Sequence, residues 1–217
     1  MIDTVYLLPG ATFNHFNPGS LRTSIEEHIP EDLRERYEFH DFHHAAAILA
    51  AEFPAEHEDL CTALRDFSIG REEILAGGGN ESAIPKRIDA ILRPVGWHKH
   101  RLNAKLLVDE EIVSEDTHWI DYVKGRVAFD LEWNSKDQTF DRDLYAFSRF
   151  FQFNRISVGV LLTRSEELNL LFRELGVLKK YGASTTWMGK LLPRLHAGRN
   201  GGCPVLAIGI KRDVVVD

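Results

Sequence analysis

The sequence predicts one α/β domain, in which a mixed central β-sheet is flanked by helices and the N-terminal half is helical. The chain has 217 residues, enough to bury one sizeable core. Apolar residues make up 44% and charged residues 27%, which is typical of a folded protein. The C-terminal half has the pattern β, β, α, β, α, β, and this order favours a mixed sheet covered by helices.

The N-terminal part, residues 1–76, is predicted to be mostly helical, and a Gly-Gly-Gly-Asn run at 77–80 separates it from the core predicted at 77–217. Ser20 is a suitable helix cap and Pro30 suits the first turn of a helix. The helices are expected over 20–28, from 30 onward, over 43–52, over 56–67 and, after the glycines, over 84–92.

The hydrophobic pattern changes period in the C-terminal half. Alternating apolar residues predict two antiparallel strands at 117–123 and 126–134, joined by a hairpin turn at Lys124 and Gly125. A continuous apolar run at 156–163 is typical of a strand buried on both faces. The remaining elements are a helix over 141–153, a helix from Ser165 to about Gly182, and a last strand at 204–210.

The composition excludes several classes of protein. Apolar stretches such as 158–162 are too short to cross a membrane, and the N-terminus lacks the positive charge of a secretory signal. The two cysteines, Cys61 and Cys203, have neither zinc-ligand nor CxxC spacing, which favours a reducing compartment. We therefore expect a cytoplasmic protein.

Charge is distributed unevenly along the chain. The net charge of −7 by itself argues against a nucleic-acid partner. However, residues 86–105 carry six bases against one acid, and residues 179–199 carry five bases and no acid. Two such windows predict a basic face for a polyanion. Solvated helix faces are the alternative explanation.

Both basic windows include or adjoin loops that suit contact with DNA. In such loops, backbone N–H groups and hydroxyl, amide or basic side chains can bind DNA phosphates or the edges of nucleotide bases. The candidate DNA-binding residues are Asn80, Ser82, Lys86, Arg87, Ser184, Thr185, Thr186, Lys190, Arg194, Arg199 and Asn200.

A line of acidic side chains marks the second strand of the predicted hairpin. Alternation places Asp130, Glu132 and Asn134 on one face and apolar residues on the other. Asp121 on the preceding strand is expected to lie beside them. Carboxylates from adjacent strands are suitable ligands for Mg²⁺ in phosphodiester hydrolysis. An amphipathic hairpin with its acids in water is the alternative.

These residues resemble a known signature. Asp121, followed after ten residues by Glu132-Trp133-Asn134, is similar to the PD-(D/E)xK nuclease motif. The stretch from Ser135 to Leu144, an aromatic helix and the strand at 156–164 resemble the BglII/BstYI-like group of type II restriction endonucleases. The resemblance implies a restriction-endonuclease-like core and a Mg²⁺-dependent homodimer that cuts both strands of double-stranded DNA at a short palindrome.

The same resemblance assigns roles to particular residues. Asp121 and Glu132 are expected to bind the metal, and Asp130 on the same face is a candidate third ligand. Asn134 stands where the signature has a lysine, so either Asn134 or Lys136 is expected to fill that catalytic role. Two alternatives remain open: a repair-type nuclease on the same fold, and a DNA-binding module that does not cleave.

Overall fold

The computed structural model describes residues 23–76, 83–182 and 184–217. The helices are α1 Ser24–His28, α2 Glu31–Arg36, α3 Ala45–Glu52, α4 Pro54–Asp66, α5 Arg71–Leu75, α6 Ala83–Leu92, α7 Thr139–Gln152, α8 Glu166–Glu174 and α9 Met188–His196. The strands are β1 Tyr37–Phe42, β2 Ile69–Gly70, β3 His98–Val108, β4 Glu111–Lys124, β5 Val127–Glu132, β6 Val158–Arg164, β7 Val205–Ile210 and β8 Val215–Val216.

A mixed sheet forms the centre of the described structure. Its strand order is β1-β7-β6-β5-β4-β3. The three central strands β5, β6 and β7 are parallel, whereas β1, β4 and β3 are antiparallel to their neighbours. Helices pack on both faces of the sheet. On β5, Phe129 belongs to the apolar cluster on one face and Ala128 to the cluster on the other. The predicted fold class is confirmed.

Two strands of this sheet were not predicted. The first half of the chain is predicted to be mostly helical, yet it contains β1, which pairs with β7 at one edge of the sheet. β3 forms the other edge and pairs with β4. β3 begins His-Lys-His-Arg, and such charge is common on edge strands because it discourages pairing with other chains.

Several element boundaries also differ from the prediction. Strand β4 ends at Lys124 and β5 begins at Val127, so the hairpin turn is Gly125-Arg126 rather than Lys124-Gly125. Gly125 has a φ of +53°, a conformation that glycine adopts without a steric penalty. Helix α8 ends at Glu174, well before the predicted Gly182. Helix α1 is capped by Thr23 rather than by Ser20, which lies outside the described residues.

The sheet opens between β4 and β5, and this opening positions the site. The two strands pair only from Lys124 opposite Val127 to Tyr122 opposite Phe129. At the next position the backbone N–H of Asp121 donates to a side-chain oxygen of Asp130, at 2.7 Å. The register between β3 and β4 shifts at the same level of the sheet. Such irregularities separate strands locally and make room for functional side chains.

Among the described residues, no helix has the length and apolar character needed to cross a membrane.

Candidate active site

Strand β5 presents its two acids on one face, as the alternation predicted. Phe129, Leu131 and Trp133 lie in the apolar cluster on the opposite face. Asp130 and Glu132 are only 3% and 7% exposed. The prediction that these two carboxyl groups share a face is confirmed, but the alternative in which they face water is wrong.

Asp121 lies at the edge of the same group. Its carboxylate is about half exposed and makes an ion pair with Lys99, with Nζ to Oδ1 at 2.9 Å. Its negative charge contributes to raising the pKa of both Asp130 and Glu132. The structure therefore brings Asp121, Asp130 and Glu132 together where the two strands separate.

Helix α7 adds a carboxyl group that the sequence analysis missed. Asp143 is 3% exposed, and its carboxyl group lies near that of Glu132, whose charge helps to raise the pKa of Asp143. A sequence signal for it existed: Asp143 lies three residues after Phe140 and four before Phe147, on the buried side of the helix. We call Asp121, Asp130, Glu132 and Asp143 the acidic cluster.

Burial dominates the electrostatics of the acidic cluster. Burial, followed by the charge of Asp143, raises the pKa of Asp130 well above its ordinary value. Burial also raises the pKa of Glu132. The pKa of Asp143 is raised to about 8, first by burial and then by Glu132. Burial removes these carboxyl groups from water, and their charges repel one another. Protonation or a bound cation therefore stabilises them.

Oxygen atoms of the acidic cluster lack partners. Within the described parts of the chain, Oδ2 of Asp130, Oε2 of Glu132 and Oδ2 of Asp143 are buried without a hydrogen bond. Oδ1 of Asn134, two residues beyond the end of β5, is also buried without a hydrogen bond in the described residues. Buried polar atoms without partners are rare and often mark a place for an ion or water.

The donor set suits a hard divalent metal, because carboxylate oxygens are the preferred ligands of Mg²⁺. The side chains are not preassembled around an ion: no group of three or more His, Cys, Asp or Glu residues, in the ranges described, is already arranged to hold one. Instead, the acidic side chains lie close to one another and pair with two basic side chains, Lys99 and Arg142. The unpartnered oxygens are the observation that fits a metal.

The two candidates for the lysine role lie beyond the end of β5. Asn134 is half-buried, and Lys136 is exposed, with its backbone bridged to Thr185. In the described structure, no ion pair joins Lys136 to the acidic cluster. The nearer cation is Arg142, whose Nη2 lies 3.8 Å from Oε1 of Glu132 and whose Nε lies 3.4 Å from Oδ1 of Asp143.

A basic and aromatic rim, formed by Lys99, Arg101 and Trp119, borders the acidic cluster on strands β3 and β4. The charged ends of Lys99 and Arg101 each lie 5.9 Å from the centre of the Trp119 ring. This ring is 46% exposed. Exposed aromatic rings with neighbouring cations suit contact with a nucleic-acid strand. The sequence analysis placed Lys99 and Arg101 in a basic window without assigning them a role.

Some predicted DNA-binding residues have partners within the protein. Arg87 donates to Glu73 and to the carbonyl of Ser68. Arg194 and Arg199 both pair with Asp141. Lys190 lies 3.9 Å from a carboxylate oxygen of Asp137.

Two other candidates are buried, so DNA contact by their side chains is not supported. Thr186 and Asn200 are 0% and 1% exposed. The amide of Asn200 donates to the carbonyl of Cys203, and the carbonyl of Thr186 accepts from Arg164. Ser184 and Lys86 are exposed, whereas Asn80 and Ser82 lie outside the described residues.

The segment around Thr185 is held next to the end of β5 by a buried arginine. Arg164 is 0% exposed and donates to Oγ1 of Thr185 and to the carbonyl of Thr186 at 2.6 and 2.7 Å. The segment in turn accepts from Asp137 and donates to Ser135 through backbone groups. Burial lowers the pKa of Arg164 to about 10. The hydrogen bonds of Arg164 therefore hold the segment around Thr185 in place beside the end of β5.

The mixed sheet, with carboxyl groups gathered where two of its strands separate, defines an α/β protein with a candidate metal-dependent active site. The model of the family described as restriction endonuclease BglII/BglIII matches residues 37–210, so the chain belongs to this family. The protein is therefore a type II restriction endonuclease, a site-specific deoxyribonuclease that binds double-stranded DNA. Enzymes of this kind generally use a divalent metal. A search of curated proteins found no match.

Proposed function

We propose that the protein is a Mg²⁺-dependent homodimer that cuts both strands of DNA at a short palindromic site. The observation that carries the proposal is the meeting of Asp121, Asp130 and Glu132 at one opening in the sheet. Asp130 and Glu132 each have a buried oxygen there that no group in the described residues satisfies. These three carboxyl groups would hold the metal. Asp130 thereby becomes a principal ligand rather than a doubtful third one.

The metal, when bound, would activate water and neutralise charge on the scissile phosphate. The remaining tasks belong to side chains of the protein. Asp130 is fixed by the backbone N–H of Asp121, so these two residues keep their relative position when DNA arrives. Asn134, just beyond the end of β5, would orient the attacking water through its unpartnered Oδ1.

The scissile phosphate also needs a nearby positive charge. Because Asn134 stands where the signature has a lysine, another basic side chain must supply that charge. Arg142 lies at the mouth of the acidic cluster and is about half exposed. We assign it the stabilisation of negative charge beside Glu132. Lys136 is exposed further along the chain and would contact a neighbouring phosphate.

The DNA backbone would approach across the basic and aromatic rim. Lys99 pairs with Asp121 in the free protein, so a phosphate that attracts Lys99 would release the Asp121 carboxylate for the metal. A palindrome is read most economically by a two-fold symmetric dimer with one active site for each strand.

Incubation of the protein with plasmid DNA, in Mg²⁺ or in EDTA, tests the proposal. Discrete fragments that appear only with Mg²⁺ are expected, and sequencing of their ends should reveal one palindrome cut symmetrically. Nonspecific degradation would favour a repair-type nuclease. Retained binding without cleavage would favour a DNA-binding module, and either result would overturn the proposal.

The dimer is tested separately. Sedimentation of the protein with a duplex that contains the mapped site should show two chains for each duplex. A complex with a single chain would contradict the symmetric arrangement.

A further inference from the structure

Helix α7 directs one acid into the protein where its neighbours are apolar. Asp143 is buried together with Phe140, Leu144 and Phe147 on the inner side of the helix. A carboxyl group at such a position costs free energy unless a partner compensates it. Its neighbour is another buried carboxyl group, that of Glu132, which does not supply that compensation.

The hydrogen bonds of the described structure leave this region unsatisfied. Asp143, Asp130 and Glu132 are each more than nine-tenths buried, and each has a carboxylate oxygen without a hydrogen-bond partner in the residues described. Arg142 approaches from one side, but its side chain is 46% exposed and its contacts to Glu132 and Asp143 measure 3.8 and 3.4 Å. One half-exposed guanidinium does not satisfy three buried carboxyl groups.

We propose that Asp143 is a metal ligand, so that helix α7 and the strands hold a divalent cation between them. The ligands at Asp121, Asp130 and Glu132 come from the strands alone, and Asp143 would complete the site from the helix that covers it. Oxygen ligands from two sides suit the six-fold coordination of Mg²⁺ or Mn²⁺. The inference rests on the metal dependence in the proposed function.

A purely structural role is the competing explanation, in which Asp143 stays protonated and only donates a hydrogen bond to Glu132. The variant Asp143→Asn separates the two, because an amide of the same shape still donates to Glu132 but is a much poorer ligand for a hard cation. Asp141→Asn is the matched control, since Asp141 belongs to the same helix but pairs with Arg194 and Arg199.

The test is a calorimetric titration of the full chain with Mn²⁺ in the absence of DNA. We expect saturable binding by the unaltered protein and by Asp141→Asn, and an affinity at least about tenfold weaker for Asp143→Asn. Thermal unfolding provides a second measurement: Mn²⁺ should raise the Tm of the unaltered protein more than that of Asp143→Asn. In EDTA, Asp143→Asn should be at least as stable as the unaltered protein.

Two results would overturn the inference: equal Mn²⁺ affinity in Asp143→Asn and the unaltered protein, or no saturable binding by the unaltered protein. Failure of the proposed function has a different signature. In that case the plasmid would stay uncut in every divalent cation, although Asp143→Asn had weakened the binding of Mn²⁺.

Discussion

The stability of the metal-free protein should depend on pH through Asp143. The pKa of its carboxyl group is raised from 3.8 to about 8 in the folded protein. The folded state therefore retains a proton that the unfolded chain loses near pH 4, which gives the folded state extra stability at low pH. This contribution is complete below the unfolded pKa and is lost as the pH rises through about 8.

The size of this effect follows from the pKa shift. Each unit corresponds to about 1.4 kcal/mol. Because the carboxyl groups of Asp143 and Glu132 interact, the two groups titrate as a pair, and we expect a loss of a few kcal/mol in the free energy of unfolding. A loss on that scale is a substantial part of the total stability of a small domain.

Urea unfolding in EDTA, at a series of pH values between about 5 and 8.5, measures this effect. Asp143→Asn carries no titrating group at this position, so its free energy of unfolding should change less over that interval. Saturating Mn²⁺ should restore the stability of the unaltered protein at high pH, because a bound cation replaces the proton. Equal pH dependence in the variant and the unaltered protein would refute the reasoning.

Three further predictions concern DNA. Lys99→Ala should weaken DNA binding and reduce the slope of log affinity against log salt by about one, whereas Glu174→Gln, an exposed acid at the end of α8, should leave both unchanged. Trp119→Ala should weaken binding with little change in that slope, since a ring carries no charge; an unchanged affinity would exclude the rim from the interface. Asn134→Ala should lower single-turnover cleavage about a hundredfold with binding retained, but Lys136→Ala should mainly weaken binding. If Lys136→Ala instead lowered cleavage and Asn134→Ala weakened binding, Lys136 would have the catalytic role and Asn134 the phosphate contact.

The parts of the fold that the sequence predicted are those with a strong local pattern. The alternation of Phe129 with Asp130, the aromatic face of α7 and the apolar run of β6 each identify one element without knowledge of the rest. β1 has the sequence Tyr-Glu-Phe-His-Asp-Phe. The apolar alternation stops after Phe39, and so short a pattern between helices does not identify a strand. β3 was missed because an edge strand with one exposed row of bases lacks a continuous apolar face.

The candidate site was predicted only in part, because it depends on contacts between distant elements. Asp121, Asp130 and Glu132 were found from strand spacing, which fixes neighbours across a hairpin. Asp143 comes from a helix, and nothing in its local sequence indicates that it faces Glu132. Likewise the density of bases at 179–199 did not reveal that Arg194 and Arg199 would pair with Asp141. Local composition predicts charge, but tertiary structure decides which charges remain available.

Asp130 and Glu132 are proposed to form the metal-dependent cleavage site. Single-turnover cleavage of a duplex that contains the mapped site, in Mg²⁺, tests it most directly when Asp130→Asn, Glu132→Gln and the control Glu174→Gln are compared, with binding measured in Ca²⁺. We expect the two cluster variants to lose at least about a hundredfold in cleavage rate while specific binding persists, because each loses charge at the proposed metal site. Cleavage near the rate of the unaltered protein by either variant would contradict the account.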